Sequence, residues 1–236
     1  MERPSERRSA ARTSVVWQAL RPALDGAGDV LDIGGGTGGF AVRVAELGHP
    51  VTVVDPSPDA LAALARRARE SGVMVAGQQG DLSTLLDVSG PDSADVVLCH
   101  GVLEVVDDPA AALATIRAVL RPGGTLSLLV AQRHAAVVAR AMAGHFAQAR
   151  ALLDDPAAGG GRSGHRFTDV EVSDLLTSAG FEVTSVHGVR IFADLVPGSL
   201  LDLEPGATAA LVELEETVSE RPEFRPLATQ LHVLAR

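Results

Sequence analysis

The residues best suited to chemistry form a glycine-rich turn, DIGGGTGG at 32–39, and an acid, Asp55, 21 residues after Gly34. Glycine admits positive φ and puts no Cβ between the backbone and a ligand. A phosphate or nucleoside can then lie against main-chain amides at the start of the following helix. An acid ending the next strand can accept hydrogen bonds from ribose hydroxyls. Gly34, Gly36 and Gly39 fit the pattern GxGxxG, while Asp32, Gly34, Gly36 and Gly38 fit acidic-x-GxGxG. Either pattern points to a nucleotide-type cofactor.

Other candidates follow in order. Gly80-Asp81-Leu82 comes after the third expected strand, His100 ends the fourth, and Glu104 follows it. Arg166 and Arg190, with His134 and His165, lie in the C-terminal half. Arginine there suits an anionic group, which it can grip with two parallel hydrogen bonds. His134, His145 and His165 are eleven and twenty residues apart, which is no compact ligand set, so no metal is expected. The single cysteine, Cys99, sits in an apolar run and reads as a small core residue. No residue stands out as a catalytic base.

These residues need a frame. The runs at 29–34, 51–55, 73–77, 95–100 and 125–130 read as strands, apolar throughout. Segments 41–48, 58–72 and 108–124 read as helices closed by glycine. Strands buried on both faces and alternating with helices imply a parallel sheet covered on both sides. Residues 132–153 read as one long helix, 165–180 as a loop and a helix capped by Thr168 and Glu171, 181–192 and 227–236 as strands, and 207–220 as a helix. The expected fold is α/β: a Rossmann-like, doubly wound, mostly parallel seven-stranded sheet with an inserted helical cap. Residues 1–10 are expected as a flexible arm and 11–236 as one domain, with a cofactor-binding core at 11–131, the cap at 132–166, and C-terminal strands and helices at 167–236.

Composition narrows the class. The 236 residues are 46% apolar, enough for a full core. No apolar run reaches the roughly 18–20 residues of a membrane span, and no signal peptide is visible. The cytoplasm is the expected compartment. Net charge is −10, which disfavours broad nucleic-acid binding but permits a shaped RNA on a local basic face. Residues 132–190 hold six of the arginines, six acids and four of the seven histidines, against three arginines and eight acids in 191–236. The Glu-rich stretch 207–223 reads as a solvated helix face or a dimer surface; the oligomeric state stays open.

Taken together, the turn at 32–39, Asp55, Gly80-Asp81-Leu82, CHGVLEVVDDP at 99–109 and LRPGG at 120–124 resemble the class I S-adenosylmethionine (SAM) methyltransferases. That resemblance implies SAM rather than a nicotinamide. Further segments, ARTSVVWQAL at 11–20, MAGHF at 142–146, GVRIFADL at 188–195, LVELEETVSE at 211–220 and QLHVLAR at 230–236, resemble the bacterial tRNA 5-carboxymethoxyuridine methyltransferases. Members of that family methylate a carboxylate on the wobble uridine. The resemblance implies that Arg12 reaches the methionine carboxylate, Gly34, Gly35 and Gly36 offer backbone, and Asp55 holds the ribose. Gly80, Asp81 and Leu82 flank the adenine, and His100 lines the cofactor. Arg190, with Arg166, is expected to orient an anionic acceptor.

This chain departs from that family in two places. DDPAAGGGRSG replaces a lysine-rich stretch, and Phe224, Thr229 and Gln230 stand where tyrosines and an arginine are usual. A small-molecule methyltransferase, or a non-catalytic SAM-binding partner, is the alternative. His100-Gly101-Val102-Leu103 lacks the polar-Pro-Pro-aromatic turn of nucleobase amine methyltransferases, which argues against that reaction.

Overall fold

A computed structural model describes residues 4–156, 158, 164–203 and 206–236, with side chains from Thr13 onward except those of 198, 202 and 203. The strands are β1 (Val30–Ile33), β2 (Val51–Asp55), β3 (Ala76–Gln79), β4 (Ala94–His100), β5 (Leu120–Ala131), β6 (Val183–Val189) and β7 (Gln230–Ala235). The helices are α1 (Pro4–Leu24), α2 (Ala41–Glu46), α3 (Pro58–Glu70), α4 (Leu85–Ser89), α5 (Pro109–Val119), α6 (Arg133–Met142), α7 (Phe146–Asp154), α8 (Asp169–Ser178), α9 (Gly198–Leu203) and α10 (Ala207–Ser219). One sheet runs β3-β2-β1-β4-β5-β7-β6, and only β7 is antiparallel to its neighbours. The expected seven-stranded α/β fold is therefore the one observed.

Alternation along each strand sends its side chains to two cores. Val30, Val53, Val96 and Leu98 pack under α1 and α2 with Leu20, Leu24 and Val44. Leu31, Val97, Cys99, Leu126 and Leu128 pack against α5 and α8 through Leu113, Ile116, Val172 and Leu176. Asp108 caps α5 by accepting the amides of Ala110 and Ala111. The capping box of α8 forms as expected, Thr168 accepting from the Glu171 amide and Glu171 from that of Thr168. Thr168→Ala should lower the unfolding free energy by about 1 kcal/mol, readable by urea titration.

Four details differ from the sequence reading. Residues 4–10, expected as a loose arm, are helical; the apolar rhythm starts only near Val15, so it concealed a polar first half of α1. The third strand pairs with β2 over 76–79, not 73–77, and its residues are exposed, as suits a polar sheet edge. Val73 and Val75 pack on the core just ahead of it. The helix expected through Gly124 stops at Val119, and β5 begins at once. The long helix at 132–153 is broken between α6 and α7 by Gly144, whose φ is 78°. Much of the small-residue loop at 154–164 lies outside the described residues.

Candidate active site

The carboxyl ends of β1, β2 and β4 and the start of α5 enclose a cleft of about 640 Å³, lined by Gly34, Asp55, Asp81, Leu82, Val102 and Val106 among others. That is the size range of cofactor sites. Gly34, Gly36 and Gly38 adopt φ of 66°, 56° and 79°, the left-handed region that favours glycine. Space is tight as well. A Cβ on Gly34 would stand 2.5 Å from Val102 Cγ2.

Asp55 is fixed before any ligand arrives. Its Oδ2 accepts the Gly36 amide at 2.9 Å and its Oδ1 the Ser57 amide at 2.9 Å. Each oxygen keeps a second lone pair. Asp81 is held in its own turn. Its carboxylate accepts from the Ser83 hydroxyl and from the Ser83 and Thr84 amides, and the Ser83 hydroxyl bond leads in holding its pKa below the usual value. Asp32 lies beneath the glycine turn. Burial, and secondarily the charge of Asp55, push its pKa up to about 7.

His100 stands at the end of β4. Its Nε2 lies 2.9 Å from Ser127 Oγ, and the Phe40 ring stands edge-to-face at 4.8 Å. Burial lowers its pKa to about 4. Just beyond, the Ala131 amide donates to Glu104 Oε1 at 2.7 Å, and the His165 amide donates to the Glu104 carbonyl. Burial raises the Glu104 pKa, and the charge of Arg166 opposes that rise. The half-buried Arg166 is thus brought beside Glu104; its own pKa is lowered by burial first, then by nearby Arg140.

Arg190 occupies the end of β6, at the same sheet edge, in a left-handed conformation with φ 59°. Its guanidinium pairs with Asp194 and donates to Gln230 Oε1 at 3.5 Å. Glu215 braces the next turn. Reading 207–223 as a solvated face misplaces this residue: Glu215 is wholly buried and accepts the amides of Ile191, Phe192 and Ala193. Arg12 belongs to α1, but its side chain is outside the described residues. Trp17, expected as a packing anchor, lies beside Phe40 with the Arg43 guanidinium 4.1 Å over its ring.

Sequence reasoning missed Glu215, Ser127 and His232. For Ser127 and His232 the available signal was polar residues on one alternation of a short strand, Thr125 and Ser127 in TLSLLV and Gln230 and His232 in QLHVLA. Among the described residues, no helix is long and apolar enough to cross a membrane.

Residues 31–128 match the family model described as a methyltransferase domain. The chain is 30% identical to the tRNA 5-carboxymethoxyuridine methyltransferase of Escherichia coli, over 95% of this chain and 87% of that one. It is 37% identical to a ubiquinone biosynthesis O-methyltransferase of Xanthomonas campestris pv. campestris, over 73% of this chain and 70% of that one. A SAM-dependent methyltransferase from Mesorhizobium loti shares the fold, with a TM-score of 0.60, 22% identity and coverage of 94% and 97%. The chain belongs to the class I SAM-dependent methyltransferases. It is an enzyme of that class, and SAM is its cofactor.

The residues present fit that group. Gly34, left-handed and without a side chain, leaves bare backbone at the cleft, and Asp55 offers two oriented lone pairs. Asp32 makes the fit measurable. A cation bound near it should drive off its proton, because positive charge favours the carboxylate. SAM binding should therefore release up to about three-quarters of a proton at pH 6.5 and almost none at pH 8.5. Calorimetry in buffers of different ionisation enthalpy reads this, and Asp32→Asn should abolish the difference. The sign for folding runs the other way. The folded chain keeps a proton that the unfolded chain has lost, so this contribution to stability fades as pH rises from 3.8 through about 7.

Proposed function

We propose that this enzyme transfers the methyl group to an oxygen that is already ionised, the carboxylate of a modified wobble uridine in tRNA. The observation that carries this reading is the end-to-end similarity to the tRNA enzyme, which extends past the cofactor core into β6, α10 and β7. The local chemistry supports it. His100 is a weak base in its buried setting, and one oxygen of Glu104 is committed to the Ala131 amide. A carboxylate acceptor needs no base at neutral pH; a hydroxyl or amine would.

SAM supplies a methyl group on cationic sulfur, already activated for in-line displacement. The chain's task is then to position the acceptor and exclude water. In our reading Asp55 holds the ribose, Gly34, Gly35 and Gly36 offer backbone, and Gly80, Asp81 and Leu82 border the adenine. Arg12 and His100 complete the cofactor site. Arg166 becomes the principal acceptor residue and Arg190 the supporting one, because Asp194 already balances the charge of Arg190. A tRNA substrate also implies a cytoplasmic site of action.

Mass spectrometry of tRNA nucleosides from a deletion strain tests the substrate. The methyl ester of the wobble nucleoside should disappear and the free acid accumulate. Unchanged nucleosides would overturn the tRNA reading. They would favour a small-molecule acceptor, a reading supported by the likeness to the ubiquinone-pathway enzyme and by the acidic chain.

A further inference from the structure

The stretch between β4 and α5 forms one wall of the cleft, lined by Gly101, Val102, Val105, Val106, Asp107 and Asp108. It is neither helix nor strand. Its two ends are held by their surroundings. The Gly101 amide donates to the Leu129 carbonyl at 2.9 Å, and Asp108 caps α5. Between those ends Leu103 is anchored by burial. Among the described residues, Glu104 alone makes hydrogen bonds there to distant parts of the chain. Its side chain accepts the Ala131 amide at the end of β5, and its carbonyl accepts the His165 amide, each at 2.7 Å.

The second bond belongs to a strap. Residues 164–167 return from the cap and run beside the end of β5. The Phe167 amide donates to the Ala131 carbonyl, and the Phe167 carbonyl accepts the Arg133 amide, both at 2.9 Å. Gln132 pairs with Phe167 as a parallel bridge. The Phe167 ring is buried in the core that also holds Val172 and Leu176. Gly164 begins the strap with φ 56°. A Cβ there would collide with the Glu104 carbonyl oxygen and stand 2.9 Å from the carbonyl carbon. Glycine is therefore demanded twice, by conformation and by space.

We propose that Glu104 and Gly164 are positioning residues for the cofactor: the strap, seated on the Glu104 carbonyl, fixes the cleft wall against which SAM binds. This rests on the reading of the cleft as the cofactor site. Neither residue is among those that line the cleft, so the effect passes along the chain. Val105 and Val106 follow Glu104 directly. The Val102 carbonyl accepts the Val105 amide at 3.0 Å, and the Val102 side chain crowds Gly34. Coupling of this kind is reciprocal, so a cofactor that steadies the wall must steady the strap as well. The same strap carries Arg166, which gives the residue we assign to the acceptor and the cofactor wall one shared support.

Two glycines supply the comparison. Gly164→Ala and Gly144→Ala both force alanine into a left-handed conformation, which costs stability. A Cβ on Gly144, however, meets nothing within 4 Å. Calorimetry should show Gly164→Ala binding S-adenosylhomocysteine about tenfold more weakly, the scale of one hydrogen bond. Gly144→Ala should bind it as the wild type does. Glu104→Ala should match Gly164→Ala, and Glu104→Gln, which keeps an acceptor for the Ala131 amide, should restore most of the loss. Equal affinities for the two alanine variants at 144 and 164 would overturn the proposal.

The wild-type protein gives a second measurement that needs no variant to fold. On adding S-adenosylhomocysteine, the Val102 and Val106 methyl signals should shift in NMR spectra. Deuterium exchange of the His165 amide should slow about tenfold, while that of the Gly180 amide, just past the far end of α8, should not change. Methyl signals that move while His165 exchange does not would overturn the strap's role and leave the cofactor reading standing. Methyl signals that do not move would remove the cleft as the cofactor site, and the proposal with it.

Discussion

Replacing Glu215 by alanine should lower the unfolding free energy by about 4 kcal/mol, leaving three amide donors without their partner at about 1–3 kcal/mol each. For a chain of this size that corresponds to a fall in Tm of roughly 10 °C. The Glu215 carboxylate accepts at 2.9, 2.7 and 2.7 Å from consecutive residues of the turn after β6. Water cannot substitute easily, since Glu215 has no exposed surface. Glu215→Gln should fall between the two, because its amide oxygen still accepts while its NH₂ opposes one donor. Differential scanning calorimetry of the three proteins gives the ranking. A Tm for Glu215→Ala within 2 °C of wild type would refute the clamp.

Asp55→Ala should weaken SAM binding at least a hundredfold. A charge-assisted hydrogen bond is worth about 1.5–3 kcal/mol, the proposed ribose contact has two, and each 1.4 kcal/mol is a factor of ten. The variant also loses the acceptors of the Gly36 and Ser57 amides, which shape the glycine turn and the start of α3. A drop in Tm without cofactor is therefore expected as well. Asp55→Asn separates the two effects, since it keeps one acceptor for the backbone but removes the charge. Isothermal calorimetry showing micromolar SAM binding by a folded Asp55→Ala protein would rule out the ribose role.

Reading forward from the residues succeeded where local chemistry and position coincide. The glycine turn, Asp55 and the strand ends were legible because a left-handed turn, an acid and an apolar strand each leave a mark at fixed spacing. Thr168 was equally plain as a helix cap. The misses share a different cause. Glu215 looks like any surface glutamate in a helix with several; only a loop 22–24 residues earlier in the chain makes it a buried clamp. Ser127 and His232 are 105 residues apart, and register alone brings them together. Arg190 is not among the misses: Asp194, four residues on, pairs with it where the backbone turns left-handed, and its place beside the acceptor is part of our proposal. Sheet edges misled as well, since the apolar VMV at 73–75 outweighed the polar stretch that pairs with β2.

The insertion of β7 between β5 and β6 bears on how the protein is made. Leu126 pairs with Ala235 and Ala131 with Gln230, so β5 waits for residues about a hundred positions later before its outer edge is covered. Among the described residues β6 has no neighbour in the sheet other than β7. As synthesis proceeds, β1 to β5 can assemble with their helices while β6 remains unmoored. During that interval an apolar strand, LSLLVA, presents open backbone groups to any other nascent chain. Slow delivery of β7 to the ribosome exit would prolong the exposure, whereas a holding chaperone would shelter it. The yield of soluble protein in cells should therefore depend on translation speed through the stretch between β6 and β7, even among synonymous genes encoding the same chain.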